Sequence, residues 1–174
     1  MSIADQIKAH IKDVPDFPKE GIIFKDITPV LEDAATLKAI IDHLAEHYAD
    51  KNITHIAGIE SRGFIFGTAL AYAMDKGIVL IRKPGKLPRK THSVTYELEY
   101  GTDTLEIHAD AVKEGDRVLI VDDLLATGGT AEAAIKLITG LGAEVAATCF
   151  VIELSFLNGK DRLSPTTVHS LVTY

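Results

Sequence analysis

The sequence predicts an α/β fold, a doubly wound and mostly parallel sheet with helices on both faces. Four short apolar segments are typical of strands, at residues 55–59, 78–81, 118–121 and 145–152. They lack the alternation of polar and apolar residues that marks a half-exposed strand, so both faces of the sheet should be buried. Segments with helical spacing alternate with these strands, and this alternation is the pattern of the doubly wound class.

The other elements are predicted from local signals. Ser2 and Asp5 suit the start of a short first helix, and apolar residues at helical spacing predict helices over 35–49, 64–74 and 131–141. Residues 14–21 are predicted to be irregular because they contain two prolines and a glycine. A hairpin is predicted with strands at 96–100 and 104–108 and a turn at 101–103. Residues 155–174 carry no motif that predicts a role.

Length and composition bound the class of protein. The 174 residues suffice for one domain with a substantial core, so a single domain over 1–174 is expected. The net charge of −7 argues against a broad nucleic-acid surface. Cys149 is the only cysteine, so no internal disulfide can form, which fits a reducing compartment. With no secretory signal and no apolar stretch of membrane-spanning length, we expect a cytoplasmic protein without membrane or nucleic-acid partners.

One basic segment contrasts with the acidic chain. Within nine residues it contains Arg82, Lys83, Lys86, Arg89 and Lys90. A concentrated positive charge on an acidic protein fits a compact polyanion, such as a phosphate ester, better than a long polymer. Taken alone, the segment fits a solvated basic turn equally well.

The segment VLIVDDLLATGGT, at 118–130, carries the most chemical information. A buried strand leads to Asp122 and Asp123, and a loop of small residues then opens a helix: Ala126, Thr127, Gly128, Gly129 and Thr130. Small residues let backbone N–H groups surround an anion, and the start of the helix adds positive charge. Ionised carboxylates accept hydrogen bonds from sugar hydroxyls. The pattern therefore predicts a ribose 5-phosphate site. Motifs for a P-loop, a dinucleotide fold, a zinc site and a serine hydrolase are absent from the sequence.

Polar residues follow three of the predicted strands. Because ligands of doubly wound sheets bind beyond the carboxyl ends of the strands, these groups should converge there. They are Ser61-Arg62-Gly63, Arg82-Lys83 and Asp122-Asp123.

The 118–130 segment closely resembles the phosphoribosyl pyrophosphate motif of the type I phosphoribosyltransferases. Four further stretches narrow the resemblance to the adenine branch of that family: FPKEGIIFKDI (17–27), ESRGF (60–64), IRKPGKLP (81–88) and YELEYG (96–101). The resemblance implies transfer of the 5-phosphoribosyl group of phosphoribosyl pyrophosphate to adenine, giving AMP and pyrophosphate. It also implies Mg²⁺ held mainly through substrate oxygens, no metal site made by the protein alone, a homodimer, an N-terminal hood at about 1–30, and a flexible hairpin lid at about 82–108.

The resemblance further assigns roles to individual residues. Pyrophosphate is expected at Ser61, Arg62, Gly63, Arg82, Lys83 and Lys86. Adenine is expected at the backbone of Ile23 and Lys25 and the ring of Phe24, with Arg62 and Leu124 nearby. Glu99 is the expected catalytic carboxylate, together with Arg82, and Tyr100 belongs to the lid.

At two positions, this chain differs from residues that members of the resembled family carry. Many relatives have arginine at the position of Lys25, which matters only if a guanidinium contacts the base. Relatives that use 6-oxopurines usually carry an acidic residue at the position of Ala126, so alanine there favours adenine.

Several alternatives stay open at this point. Glu99 is an exposed strand residue in the simplest interpretation, and Glu97 and Glu106 lie nearby. A regulatory sensor of phosphoribosyl pyrophosphate, an enzyme for xanthine or another purine, and a binding subunit without activity are the rival functions.

Overall fold

A computed structural model describes residues 1–98 and 100–174. Its helices are α1 (Ile3–His10), α2 (Thr28–Glu32), α3 (Ala34–Tyr48), α4 (Arg62–Ala73), α5 (Gly129–Gly140) and α6 (Gly159–Arg162). Its strands are β1 (Lys12–Pro15), β2 (Ile23–Asp26), β3 (His55–Ile59), β4 (Gly77–Ile81), β5 (Thr91–Glu97), β6 (Thr102–His108), β7 (Arg117–Leu125), β8 (Glu144–Glu153) and β9 (Val168–Thr173). None of these helices is long and apolar enough to cross a membrane.

The central sheet has five strands in the order β4-β3-β7-β8-β9, and every neighbouring pair is parallel. Strand β7 explains why the apolar runs do not alternate. Leu119 and Val121 pack in a core with α1, α3 and α4, whereas Val118 and Ile120 pack in a second core with α5 and the β5–β6 hairpin. All four side chains are at most 1% exposed. The predicted doubly wound parallel sheet is therefore confirmed.

The two antiparallel hairpins lie outside this sheet. Strands β1 and β2 pair from Lys12 opposite Asp26 to Pro15 opposite Ile23, so the prediction that 14–21 is irregular was wrong at its start. The predicted bounds of the second hairpin were also wrong, because β5 and β6 pair from Thr91 opposite His108 onward. Residues 91–95 are mostly polar and pair with β6 through polar side chains; the hydroxyls of Thr95 and Thr104, for example, lie 2.8 Å apart. A pattern of apolar residues therefore does not indicate this part of the strand.

Other boundaries differ where tertiary pairing extends an element. Strand β7 continues to Leu125 because β8 runs alongside it, and Asp122 pairs with Phe150. Asp122 and Asp123 therefore lie inside β7, near its carboxyl end, and not in the loop that follows it. Helix α4 begins at Arg62, so Arg62 and Gly63 belong to its first turn. The C-terminal segment, for which the sequence predicts no role, contains β9, whose Leu171 and Val172 are buried in the core.

Candidate active site

The carboxyl ends of β4, β3 and β7 lie side by side because these strands are neighbours in the sheet. The turn after β3 meets the end of β7 very closely at Gly63. A Cβ atom on Gly63 would lie 2.8 Å from the carbonyl oxygen of Val121 and 2.9 Å from Oδ1 of Asp122. Only glycine permits this approach, so the first and third of the predicted polar groups come together as expected.

The side chains of Arg62 and Asp123 form the main ion pair of this region. Arg62 Nε lies 2.5 Å from Asp123 Oδ2, and Asp123 is only 7% exposed. The hydrogen bond that Arg62 donates to Asp123 raises the pKa of Arg62, and the charges of Asp123, Asp122 and Asp26 add to the effect. Because Asp26 lies at the end of β2, Arg62 electrostatically connects the N-terminal hairpin with the sheet.

Unlike Asp123, Asp122 forms no ion pair with a cation among the described residues. Its Oδ1 accepts a hydrogen bond from the backbone N–H of Asp123 at 2.9 Å. Burial, followed by the negative charge of Asp123, raises the pKa of Asp122 well above its ordinary value. A carboxyl group in this position gains from partners that donate hydrogen bonds, as sugar hydroxyls do.

The loop after β7 has the shape of an anion cradle. Gly128 adopts φ +87°, in the left-handed region that favours glycine, and α5 begins directly after it at Gly129. A cavity of about 90 Å³ lies inside the loop and is lined by its backbone, by Asp122 and by Phe150. The predicted residues Ala126, Thr127, Gly128, Gly129 and Thr130 all line it.

The C-terminal segment packs against this loop, a contact that the sequence analysis missed. A Cβ on Gly159 would lie 2.3 Å from the carbonyl oxygen of Ala126, and one on Gly128 would lie 2.5 Å from that of Gly159. Arg162 in α6 donates from Nε to Oε2 of Glu132 in α5 at 2.6 Å. The Asn158-Gly159 dipeptide is a turn signal, but nothing in the sequence links it to the loop 30 residues earlier in the chain.

The basic segment folds back onto two carboxylates. Arg82 Nε lies 2.9 Å from Glu60 Oε1, Lys86 pairs with the other oxygen of Glu60, and Lys83 pairs with Asp103. Burial by itself would raise the pKa of Glu60, but hydrogen bonds from Lys86 and Arg82 bring it below its ordinary value. The structure therefore brings the side chains of Arg82 and Lys86 to Glu60 at the turn after β3, whereas the side chain of Lys83 lies at Asp103 on β6.

The β5–β6 hairpin contacts the loop 126–130, called the phosphate loop below for its predicted ligand, through Tyr96. The hydroxyl of Tyr96 lies 3.3 Å from Oδ2 of Asp103 and 3.3 Å from Oγ1 of Thr130. Tyr100 is 82% exposed. Glu99, the predicted catalytic carboxylate, lies outside the described residues.

Three of the predicted adenine contacts, Ile23, Phe24 and Lys25, are on β2, and strand alternation divides their side chains between two faces. Phe24 packs edge-on against Phe17, with ring centroids 5.2 Å apart, and lines a cavity of about 290 Å³ with Val14 and Asp26. Ile23 and Lys25 line a different cavity. A ligand stacked on the Phe24 ring could therefore contact Ile23 and Lys25 only through their backbone groups, which is the contact that the resemblance implies.

Two of the predicted base contacts are tied to other parts of the molecule. Lys25 Nζ lies 2.7 Å from Asp13 Oδ1 and 4.2 Å from the centroid of the Tyr174 ring. Leu124 packs partly against the core and lines the cavity inside the phosphate loop. Leu124 therefore contacts both the cavity inside the loop and the core that contains residues of α1 and α3.

Comparison with known proteins gives concordant matches. Residues 28–170 match the family model of the phosphoribosyl transferase domain. An adenine phosphoribosyltransferase from Geotalea uraniireducens is 56% identical over 170 residues, which cover 98% of this chain and 99% of the relative. The crystal structure of adenine phosphoribosyltransferase from Thermoanaerobacter pseudethanolicus has a TM-score of 0.95 and 53% identity, covering 98% of this chain and 99% of that one. The Saccharomyces cerevisiae enzyme, in complex with adenine and an imino-altritol bisphosphate, has a TM-score of 0.92 and 42% identity, covering 97% and 98%.

Proposed function

The chain belongs to the adenine phosphoribosyltransferase family, and from this premise we propose how its residues bind and convert the substrates. The enzyme transfers the 5-phosphoribosyl group of phosphoribosyl pyrophosphate to adenine, giving AMP and pyrophosphate, a reaction of purine salvage. The observation that carries the proposal is the end of β7, where Asp122 and Asp123 lead directly into the glycine-containing loop at the start of α5. The names of these relatives favour an enzyme for adenine over the sensor, the inactive subunit and the xanthine enzyme.

The 5′-phosphate binds in the loop from Ala126 to Thr130. Backbone N–H groups at the start of α5 donate to the phosphate oxygens, and the hydroxyls of Thr127 and Thr130 add further donors. Asp122 accepts from the ribose hydroxyls, and the donors of the sugar favour its ionised form. Asp123 orients Arg62 through one carboxylate oxygen, and its other oxygen accepts a hydrogen bond from the sugar.

Pyrophosphate binds between the turn at Ser61-Arg62-Gly63 and the basic segment. Arg82 and Lys86 are held at the edge of that turn by Glu60, and Lys83 is held by Asp103. Pyrophosphate carries more negative charge than either carboxylate, so it competes well for these cations. Their fixed positions stabilise the negative charge that grows on pyrophosphate as its bond to C1′ breaks.

Adenine lies between Phe24 and Leu124, and its polar edge contacts the backbone of Ile23 and Lys25. Arg62 bounds the site from the side of the sheet. Contact through the backbone explains how lysine can replace the arginine of many relatives at position 25. Glu99 holds the imidazole edge of the base, either stabilising a protonated purine or assisting loss of the N9 proton. The β5–β6 hairpin with Tyr100 acts as the lid that excludes water, which would otherwise consume the substrate.

Magnesium is proposed as the metal of the reaction. Asp122 and Asp123 offer the hard oxygen donors that Mg²⁺ prefers. Among residues 1–98 and 100–174, no group of three or more histidine, cysteine or acidic side chains is arranged to hold a metal. This donor set fits an ion that takes most of its ligands from the ribose and pyrophosphate oxygens. When bound, the ion neutralises part of the pyrophosphate charge.

We also propose a homodimer. Ile65 and Tyr72 on α4 are 44% and 89% exposed, which suits a surface covered by a second copy of the chain. A cytoplasmic location and the absence of nucleic-acid partners stay predictions from the sequence.

A substrate assay tests the proposed activity. The purified protein with Mg²⁺, phosphoribosyl pyrophosphate and adenine should give AMP and pyrophosphate. Hypoxanthine and guanine should be much poorer substrates, because Ala126 provides no acidic group for a 6-oxopurine. Equal rates with hypoxanthine would contradict the assignment of the base.

A further inference from the structure

Helix α6 packs against the phosphate loop. The backbones of Gly159 and Gly128 approach so closely that a Cβ on either residue would collide with the other segment. This contact fixes the distance between α6 and the loop, since neither segment can move inward. Residues later in α6 are therefore held at a defined position next to the loop.

Arg162 is oriented by a second contact between α6 and the loop. Its Nε donates to Glu132 Oε2 at 2.6 Å, and Glu132 lies in the first turn of α5. The hydrogen bond from Arg162 is the main reason that the pKa of Glu132 is lowered. Glu132 also pairs with Lys136 at 3.3 Å, so its charge is shared between two cations. The guanidinium is thereby held in one orientation.

The terminal nitrogen Nη1 of Arg162 lies next to the phosphate loop. Nη1 lies 3.4 Å from the position of a Cβ on Gly129. The hydrogen bonds found across the described part of the chain use only Nε of this side chain. Arg162 also lines a cavity of about 360 Å³, which shares Thr127, Gly129 and Thr130 with the cavity inside the loop. A guanidinium has five N–H donors, so most of its donors remain for an anion in this space.

We propose that Arg162 is a further binding residue for the 5′-phosphate, and that Gly159 positions it by fixing α6 against the loop. The inference rests on the proposed function, because it requires the phosphate to bind at Ala126–Thr130. The backbone donors of the loop are neutral, whereas Arg162 brings a full positive charge on a rigid fork that matches phosphate geometry. Glu132 supports this role by orienting the fork and leaving its two terminal nitrogens unused.

The test is calorimetric binding of ribose 5-phosphate and of pyrophosphate to the full chain and its variants. Arg162→Gln should weaken ribose 5-phosphate about 10- to 100-fold, the loss expected for a hydrogen bond to a charged group. Pyrophosphate affinity should change less than about twofold, because its proposed site is on β3 and β4. Arg162→Lys should recover part of the affinity, since it keeps the charge but not the fork. Lys160→Gln, an exposed cation of the same helix, should leave both affinities unchanged.

Thr127→Ala separates failure of this inference from failure of the proposed function. If Thr127→Ala weakens ribose 5-phosphate but Arg162→Gln does not, the role of Arg162 is wrong and the phosphate site stands. If neither variant weakens it, the phosphate binds elsewhere and both ideas fall. Equal loss of both ligands in Arg162→Gln would indicate only a structural role and would also overturn the inference. If that variant does not fold, Arg162→Lys carries the test, and an unchanged affinity contradicts the proposal.

Discussion

Asp122 and Asp123 are adjacent in the sequence, yet their carboxyl groups lie in different environments. Asp123 pairs with Arg62, whereas Asp122 accepts one backbone hydrogen bond and faces the charge of its neighbour. Burial, followed by the like charge of Asp123, raises the pKa of Asp122, the member of the pair without a cation. Binding residues are often destabilising in this way, because the ligand supplies the missing partners.

Replacing Asp122 with asparagine should stabilise the protein at neutral and higher pH. The raised pKa of Asp122 means that the folded chain binds a proton more tightly than the unfolded chain does. The wild type therefore loses stability as pH rises from the unfolded pKa near 4 through the folded value. Asp122→Asn removes this loss and keeps an oxygen to accept from the N–H of Asp123.

Thermal unfolding at pH 4 and pH 8 measures the effect. Tm of Asp122→Asn should exceed that of the wild type at pH 8 by about 2–4 °C, the shift that roughly 1 kcal/mol causes in a domain of this size. The gain should be smaller at pH 4, and affinity for phosphoribosyl pyrophosphate should fall. Asp50→Asn, at an exposed position, is the control. A larger gain at pH 4 than at pH 8 would contradict the assigned environment of Asp122.

Glu99→Ala should mainly reduce turnover. Loss of a group that assists proton transfer costs about 10²- to 10⁴-fold in rate, whereas binding of phosphoribosyl pyrophosphate should change little. Steady-state kinetics with both substrates gives the separate effects on kcat and KM. Glu97→Ala is a matched control, because Glu97 is an exposed carboxylate two residues away. An unchanged kcat in Glu99→Ala would remove Glu99 from the mechanism.

At the scale of elements, the functional segments are joined by side-chain contacts that cross between loops. Glu60 connects the turn after β3 to the basic segment, and Tyr96 connects the hairpin to Thr130. These contacts join the elements that are proposed to bind pyrophosphate and the 5′-phosphate to their neighbours. Because the proposed contacts to each substrate lie on different elements, a single substitution is expected to affect mainly the substrate that its own element is proposed to bind.

Arg82→Ala tests this expectation for the basic segment. The variant loses the cation that Glu60 orients toward the pyrophosphate region, so KM for phosphoribosyl pyrophosphate should rise about tenfold or more. KM for adenine should change much less, because Arg82 is not among the predicted adenine contacts. Arg89→Ala removes a cation that pairs with exposed Asp110 and serves as the control. Equal losses for both substrates would argue against the pyrophosphate role.

A histidine cluster between β9 and α3 should make the fold sensitive to acid. The rings of His169 and His47 stack with centroids 4.1 Å apart, His43 is 6.4 Å away, and the hydroxyl of Tyr48 lies 3.3 Å from Nδ1 of His169. Burial, followed by the charges of His47 and His43, lowers the pKa of His169 to about 4. The unfolded chain binds this proton near pH 6.5, so stability is lost as pH falls from about 6.5 toward 4.

The measurement is Tm against pH for the wild type and His169→Gln. Over pH 4–6.5 the variant should show a shallower decline, whereas His92→Gln on the hairpin should follow the wild type. Parallel curves for the wild type and His169→Gln would show that this cluster does not contribute.

Elements dominated by local signals could be predicted from the sequence. The apolar runs of β3, β7 and β8 are long and uninterrupted, and the Asp-Asp pair followed by Thr-Gly-Gly-Thr specifies its chemistry within nine residues. Elements stabilised by partners distant in the chain could not be predicted in the same way. Strand β5 is polar on its exposed face, and β9 forms only because β8 offers an edge.

At the scale of the whole molecule, the same distinction between local and distant contacts applies to the candidate site. The phosphate loop is contained in one segment, so its residues are evident without the fold. Its contact with Gly159, the pairing of Glu60 with two cations and the position of Arg162 depend on contacts between residues 22 to 33 positions apart in the chain, and no pattern in the sequence encodes them. The two faces of β2 likewise separate Phe24 from Ile23 and Lys25 only once the strand has formed.

The most direct test of the account is a crystal structure of the protein with bound AMP. We expect the phosphate oxygens within about 2.7–3.2 Å of backbone nitrogens between Ala126 and Thr130, the usual range for such hydrogen bonds. The ribose hydroxyls should lie at Asp122 and Asp123, and the base should lie against Phe24. A phosphate bound at the basic segment, or anywhere away from Ala126–Thr130, would contradict the assignment on which every other role depends.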